Sequence, residues 1–306
     1  MDKFRRMEIF GAMVEAGQLT RAAQNLHLSK SAVSHALSDL ETYLDLQLLN
    51  RDNRSWRLTD AGSTYFKLCK KILTDVEAME DTARGEGGNL SGLIRISATS
   101  VFGSYTLVPV LAKFMDKYPD IVISLNITER YVDLIEERVD LMFFTGQLKD
   151  NNLVTQQIGE AKAVVFASPD YIEKYGAPQS HIDLKYHKCI QYTRNPKWRL
   201  TKDGRTYEFI PKNHIFVDHG EPMRELCIRG QGLAMMPGSL ADFAVKKGRL
   251  VEVLSDYKCD PIPITTIRMG GSRVPNRVVR LLDFVTDESQ NRKNDASEFV
   301  MYGAKR

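Results

Sequence analysis

The sequence predicts an α/β protein in three parts: an N-terminal winged helix-turn-helix, one long helix, and a two-lobed, doubly wound α/β half. Three observations carry this. Apolar residues recur at helical spacing in stretches between Phe4 and Leu44 and again from Tyr65 to Ala83. From Leu93 onward they fall instead in short runs that alternate with helical stretches, the rhythm of βα units. A Gly-rich segment, Gly85-Glu86-Gly87-Gly88-Asn89, separates the two regimes. At 306 residues the chain also exceeds the roughly 250–300 at which single cores divide. The expected boundaries are a first module over 1–58, a linker helix over 59–84, a hinge over 85–92 and the two-lobed half over 93–306.

Phe4, Met7, Phe10, Met13 and Val14 predict the first helix, with Gly17 where a helix stop belongs. Thr20 is placed to cap a short second helix carrying Ala22, Ala23 and Leu26, and Ser29 to cap a third. That third helix buries Val33, Ala36, Leu37, Leu40 and Leu44. Its other face shows Lys30, Ser31, Ser34, His35 and Ser38, short or cationic donors with no carboxylate on the first turns. A solvated helix face is the plain alternative. Two helices across a tight turn, the second presenting small donors from its N-terminal half, suit a helix-turn-helix in a DNA major groove. The apolar stretches around Arg51-Asp52-Asn53-Arg54-Ser55-Trp56-Arg57 pair as a two-stranded wing. Its Arg51, Arg54 and Arg57 suit phosphates or a minor groove.

From Thr59 a long helix is expected to run to about residue 84. Tyr65, Cys69, Ile72, Val76, Met79 and Ala83 follow one another at alternating steps of four and three, the seam of a coiled coil. The length of the helix and the glycines beyond it favour an exposed dimerisation helix over one packed on its own domain.

In the C-terminal half, strands are expected over 93–98, 121–127 and 141–144, with helices over 105–117 and 131–137 between them. A second series has strands over 163–167, 189–192, 207–210, 215–217, 233–236 and 264–269. Its helices follow Ser168-Pro169 and Asp218 and cover 240–246 and 275–286. Repeated βα units imply mainly parallel sheets, with ligands at the C-terminal strand ends between two lobes.

Charge and chemistry exclude several classes. Lys and Arg number 42 against 39 Asp and Glu, a net charge of +3, so nucleic-acid contact must come from placed residues and not from a basic field. No apolar run approaches a membrane span, and the polar start lacks a leader's apolar core, so a cytoplasmic protein with no membrane partner is expected. The four cysteines form no CxxC pair, which argues against a disulfide scaffold or a Cys-based zinc site. There is no Gly-rich phosphate loop, no nucleophile elbow and no His-Glu-x-x-His, so no enzyme, cofactor or metal is expected. His181 and His187 lie in a polar loop and are not read as ligands.

The run Leu19-Thr20-Arg21-Ala22-Ala23-Gln24-Asn25-Leu26-His27-Leu28-Ser29, with Ala32-Val33-Ser34 and Leu40-Glu41, resembles the LysR-type transcriptional regulators. Leu49-Asn50-Arg51 and Leu58-Thr59-Asp60-Ala61-Gly62 match that family's wing and linker-helix start. Further on, the segment Tyr131-Val132-Asp133-Leu134-Ile135-Glu136 with Val139-Asp140, and the segment Gly230-Gln231-Gly232-Leu233-Ala234-Met235-Met236-Pro237, resemble its effector domain, which is similar to periplasmic solute-binding proteins. One position departs: where the family often has Gln, this chain has Lys30. Lysine cannot contact adenine bidentately and favours phosphate or guanine acceptors.

The resemblance implies a sequence-specific regulator of a double-stranded operator, controlled by a small anionic or polar effector. Thr20, Arg21, Ser29, Lys30, Ser31, Ser34, His35, Ser38 and the wing arginines would contact DNA. Thr99, Ser100, Thr128, Thr145 and Gly146 would line the effector cleft, since hydroxyls and free amides at helix N-termini bind polar groups. Trp198 and His219 are further candidates. The same resemblance implies dimers through the linker helix and tetramers through the effector domains. Two alternatives remain at this point: a redox-responsive regulator using Cys227, flanked by Arg224 and Arg229, or a solute-binding protein.

Overall fold

The computed structural model describes residues 2–52, 55–84, 90–146, 154–211, 213–268, 274–291 and 299–301. The chain divides into two units near residue 88.

In the first unit, α1 (Lys3–Ala16) stops at Gly17, whose φ of 65° is left-handed and whose N–H donates to the Met13 carbonyl oxygen. Glycine adopts that conformation without a Cβ penalty. Helices α2 (Leu19–Asn25) and α3 (Lys30–Leu44) follow. Thr20 lies inside α2 and does not cap it: Gln18 holds the cap position without a side-chain bond. Ser29 does cap α3, its Oγ accepting from the Ala32 N–H. Met7, Phe10, Met13, Ala22, Val33, Leu37 and Leu40 form the core, at the helical spacing read in the sequence.

The wing is β1 (Leu49–Asp52) antiparallel to β2 (Ser55–Leu58), with Arg51 opposite Trp56 and Asn50 opposite Arg57. Glu41 of α3 anchors its start, with Oε1 accepting from the N–H groups of Leu48 and Leu49 at 2.7 and 3.1 Å. Helix α4 (Asp60–Arg84) then begins at Thr59, whose Oγ1 accepts from the Gly62 N–H and donates to the Gln47 carbonyl oxygen. A Cβ at Gly62 would sit 1.9 Å from the Leu48 carbonyl oxygen, so only glycine lets α4 pass the wing this closely.

Here one expectation is corrected. Tyr65 and Cys69 are not on an open seam: Cys69 is buried, and the Tyr65 ring lies 5.6 Å from Phe10 of α1. The early turns of α4 complete the domain's own core, which satisfies the 3.5-residue period internally. Ile72 and Met79 are exposed and Val76 is half-buried, while the side chain of Ala83 lies outside the described residues.

The second unit holds two lobes. Lobe 1 comprises β3 (Gly92–Ala98), a π-helical segment (Phe102–Leu107) running into α5 (Val108–Lys117), β4 (Ile121–Ile127), β5 (Leu141–Thr145) and β6 (Val154–Ala161). Lobe 2 comprises β7 (Ala163–Ala167), α6 (Pro169–Tyr175), a 3-10 turn (Asp183–Tyr186), β8 (Cys189–Tyr192), β9 (Trp198–Lys202), β10 (Arg205–Phe209), β11 (Asn213–Val217), α7 (Gly220–Ile228), β12 (Leu233–Pro237), α8 (Gly238–Lys246), β13 (Val251–Val253) and β14 (Lys258–Cys259). The chain then returns to lobe 1 with β15 (Ile262–Arg268), α9 (Asn276–Asn291) and β16 (Phe299–Met301).

The sheet orders are β16-β6-β15-β5-β3-β4 in lobe 1 and β11-β8-β12-β7-β13 in lobe 2, with a small β10-β9-β14 sheet beside the latter. These sheets are mixed, and the expectation of mainly parallel sheets is corrected. Strand β3 is parallel to β4 and β5, but β15 is antiparallel to β5 and β6. In lobe 2, β8 is parallel to β11 and β12, while β7 is antiparallel to β12 and β13. In lobe 1 the antiparallel pairs of β15 form where the chain returns to complete that lobe's sheet. The helix expected over 131–137 is one turn instead. Asp133 Oδ1 accepts from the N–H groups of Ile135 and Glu136, a local cap that competes with helix extension. Val132, Leu134 and Val139 are nonetheless buried there.

Candidate functional site

The first candidate surface is the outer face of α3. Its first turn carries no acidic residue, so the positive end of the helix faces solvent uncompensated. Lys30, Ser31, His35 and Ser38 are exposed and Ser34 is half-buried. Ser29, besides capping, lies 2.9 Å from Ser31 through their hydroxyls. The turn from α2 closes through the Leu28 N–H on the Ala23 carbonyl oxygen, with His27 left-handed at φ 53°. Thr20 and Arg21 are exposed on α2. In the wing Arg57 is exposed; the Arg51 side chain and all of Arg54 lie outside the described residues. Cation, hydroxyl and amide donors gathered on one helix and one wing are the complement of phosphates and of base-edge acceptors.

The second candidate is the C-terminal edge of the parallel strands β4-β3-β5 in lobe 1. The Thr99 N–H donates to the Phe143 carbonyl oxygen, and its hydroxyl lies 2.7 Å from that of Thr145. The Thr128 N–H donates to the Ala98 carbonyl oxygen, and its Oγ1 accepts from the Arg130 N–H. Gly146 follows at φ 115°, its N–H on the Pro263 carbonyl oxygen. Hydroxyls read one by one in the sequence thus come together at the edge of one sheet.

Ser100 opens the helical segment after β3, and its partner is a residue the sequence reading missed. Its N–H and its hydroxyl both donate to Glu129 Oε1, at 2.8 and 2.5 Å. Glu129 Oε2 accepts from the Tyr192 hydroxyl of lobe 2 at 2.9 Å. Glu129 as a whole is only 8% exposed. Burial, reinforced by the charge of Glu129, pushes the Tyr192 phenol well above its usual range. The one available signal was the place of Glu129 directly after a strand end, among the hydroxyls already singled out.

The two further candidates divide. His219 is exposed just before α7 and lies 3.0 Å from Asp218, which raises its pKa with a smaller contribution from the charge of Glu129. Trp198 is corrected: it is 2% exposed and packs among Tyr171, Leu184, Leu200 and Leu233, edge-on to Phe209. Its indole serves the core under β9 and does not face a cleft. Cys227 is buried in the lobe 2 core, its thiol donating to the Phe166 carbonyl oxygen. Arg224, expected beside it, instead reaches Tyr105 at 2.8 Å, and Arg229 pairs with Glu225. Among the described residues, no group of three or more His, Cys, Asp or Glu is arranged to hold a metal, and no helix is long and apolar enough to cross a membrane.

Comparison with known proteins bears on both surfaces. Residues 4–63 match the family model for bacterial regulatory helix-turn-helix proteins of the lysR family, and residues 87–290 match the LysR substrate binding domain. The chain is similar to the HTH-type transcriptional regulator CrgA of Neisseria meningitidis, with 32% identity over 290 residues covering 93% of this chain and 96% of CrgA. The solved structure of CrgA superposes with a TM-score of 0.59 at 30% identity, covering 93% of this chain and 98% of that one. The full-length Vibrio cholerae virulence activator AphB gives a TM-score of 0.58 at 30% identity, covering 94% and 99%.

Proposed function

The chain belongs to the lysR family of bacterial regulatory helix-turn-helix proteins, and on that premise we propose how its residues share the function. It is a LysR-type transcriptional regulator with an effector-binding domain. In our reading residues 1–58 bind DNA, 59–84 associate two chains, 85–92 form a hinge and 93–306 take the effector. Lys30, Ser34, His35 and Ser38 face base edges, while Thr20, Arg21, Ser29, Ser31 and the wing arginines hold the backbone or minor groove. A small polar effector sits at Thr99, Ser100, Thr128, Thr145 and Gly146 and changes how the dimer grips its operator. Pairs of dimers join through the effector domains, where exposed Val108, Met115, Val122 and Phe216 offer apolar contact. The protein works in the cytoplasm, where its DNA lies.

The observation that carries the DNA assignment is the acid-free, hydroxyl-rich exposed turn of α3, set on a core that fixes its orientation. The test compares two substitutions against a panel of operator variants at several salt concentrations. Ser34→Ala should change the preferred bases more than it changes overall affinity. Arg57→Ala should weaken every sequence alike and flatten the salt dependence by about one unit of log–log slope. Equal loss of specific and non-specific affinity in both variants would refute this division.

A further inference from the structure

Glu129 forms no ion pair among the described residues, although its charge reaches His219 and helps to raise that imidazole's pKa. Among the described residues its hydrogen bonds come from three neutral donors: the Ser100 N–H, the Ser100 hydroxyl and the Tyr192 hydroxyl. The first two belong to the opening of the helical segment in lobe 1, where the amide and hydroxyl of buried Ser100 converge on one carboxylate oxygen. The third belongs to the end of β8 in lobe 2. One carboxylate therefore fills an anion position and ties the lobes to each other. The tie does not act alone. Val101, next to Ser100, packs on the lobe 2 core, and Arg224 of α7 donates to the Tyr105 hydroxyl of the π-helical segment at 2.8 Å. A Cβ on Gly220 would meet Val101 at 2.7 Å, so the lobes touch closely at this point.

We propose that Glu129 is a tethered carboxylate that occupies the cleft's anion position and latches the lobes through Tyr192, so that the effector is a neutral or cationic hydrogen-bond donor and free carboxylates are excluded. This rests on the cleft being the effector site, and it narrows the anionic or polar class expected from the sequence to one side. The chemistry follows from occupancy. The Ser100 donors are already used, and a second carboxylate beside Glu129 meets like charge in a buried place. A carboxylate offers about four lone-pair directions, three of which are taken here, so an incoming donor still finds an acceptor. The half-buried hydroxyls of Thr128 and Thr145 supply the remaining polar contacts, with the buried Thr99 hydroxyl holding that of Thr145 in place.

The experiment removes the tether and supplies a free carboxylate. Full-length wild type and Glu129→Ala are melted in sodium acetate and in sodium chloride at equal ionic strength. Acetate should leave the wild type unmoved and raise the melting temperature of Glu129→Ala by about 3 °C when its concentration is well above its Kd. Tyr192→Phe keeps the carboxylate on Ser100, so it should show no acetate effect but faster amide hydrogen exchange over 99–105 and 220–228. If Glu129→Ala is too unstable to melt, its refolded yield from urea replaces the melting curve, and acetate should raise that yield selectively. Equal stabilisation of wild type and variant would mean the anion position is open, and no effect on either would mean Glu129 fills no such position. Both overturn the proposal. Thr99→Val and Thr145→Val, scored by DNA affinity with and without a metabolite extract, report separately on the cleft. If they alter the response while acetate rescues nothing, the cleft stands and the tether falls; if acetate rescues but they alter nothing, the tether stands and the cleft reading falls.

Discussion

The Cys227 thiol is fully buried and donates to the Phe166 carbonyl oxygen at 3.4 Å. Burial pushes its pKa up to about 12. Thiolate, not thiol, is the reactive form, so at neutral pH Cys227 should react roughly 10³-fold more slowly than an exposed cysteine. Alkylation of the native protein followed over pH should leave Cys227 unlabelled until unfolding, with DNA binding unchanged after mild peroxide. Labelling at native pH that tracks a titration near 8 would restore a redox role. Arg224 and Arg229 suggested activation only because they stand close in sequence. In space one guanidinium serves Tyr105 and the other Glu225. Trp198 shows the same limit: an aromatic near a presumed cleft is indistinguishable in sequence from one that fills a core. Glu129 is the reverse case. Acidic side chains near strand ends are ordinarily solvated, and only the fold brings Tyr192 from 63 residues away to close over it.

At the level of elements, strong periodicity was readable and weak periodicity was not. Helices α1 to α4 carry regular apolar stripes and Ser29 is a cap that chemistry alone identifies. Strand β6 escaped because the Thr155, Gln156 and Gln157 stretch is exposed and polar, with no alternation to betray it. The 131–139 turn escaped for the opposite reason, since its buried Val132, Leu134 and Val139 imitate a helical stripe. The linker helix combines both lessons. Its spacing is that of a seam, yet Tyr65 and Cys69 are used by the domain itself, and the free apolar face runs instead through Leu68, Ile72 and Met79. Leu68 is 55% exposed, the residue on that stripe that sequence reasoning passed over. We expect Leu68→Asp together with Ile72→Asp to give monomers in sedimentation with the domain still folded. Cys69→Ser should keep the dimer while lowering the domain's stability by about 1 kcal/mol, since a hydroxyl costs more to bury than a thiol even with the Tyr65 side chain as its partner. Dimers that survive the double substitution would place the contact elsewhere.

For the molecule as a whole, the division near Gly88 was legible because composition and period both change there. The two lobes were legible as a repeated series of βα units. How they share strands was not, since local pattern does not say that β15 returns to pair with β5 and β6 after β7 to β14 have built the second lobe. That return gives each lobe two connections to the other and places Tyr192 of one against Glu129 of its neighbour. A regulator built this way reads DNA at one end of the chain and senses a small molecule at the other.

Recovery of bound sequences from a random duplex pool, with wild-type protein at fixed salt, tests the DNA-reading claim most directly. It should enrich an interrupted dyad whose half-sites lie roughly one DNA turn apart, the spacing a two-fold dimer of helix-turn-helix modules imposes. A pool that remains random after repeated rounds, with binding that depends on salt alone, would contradict it.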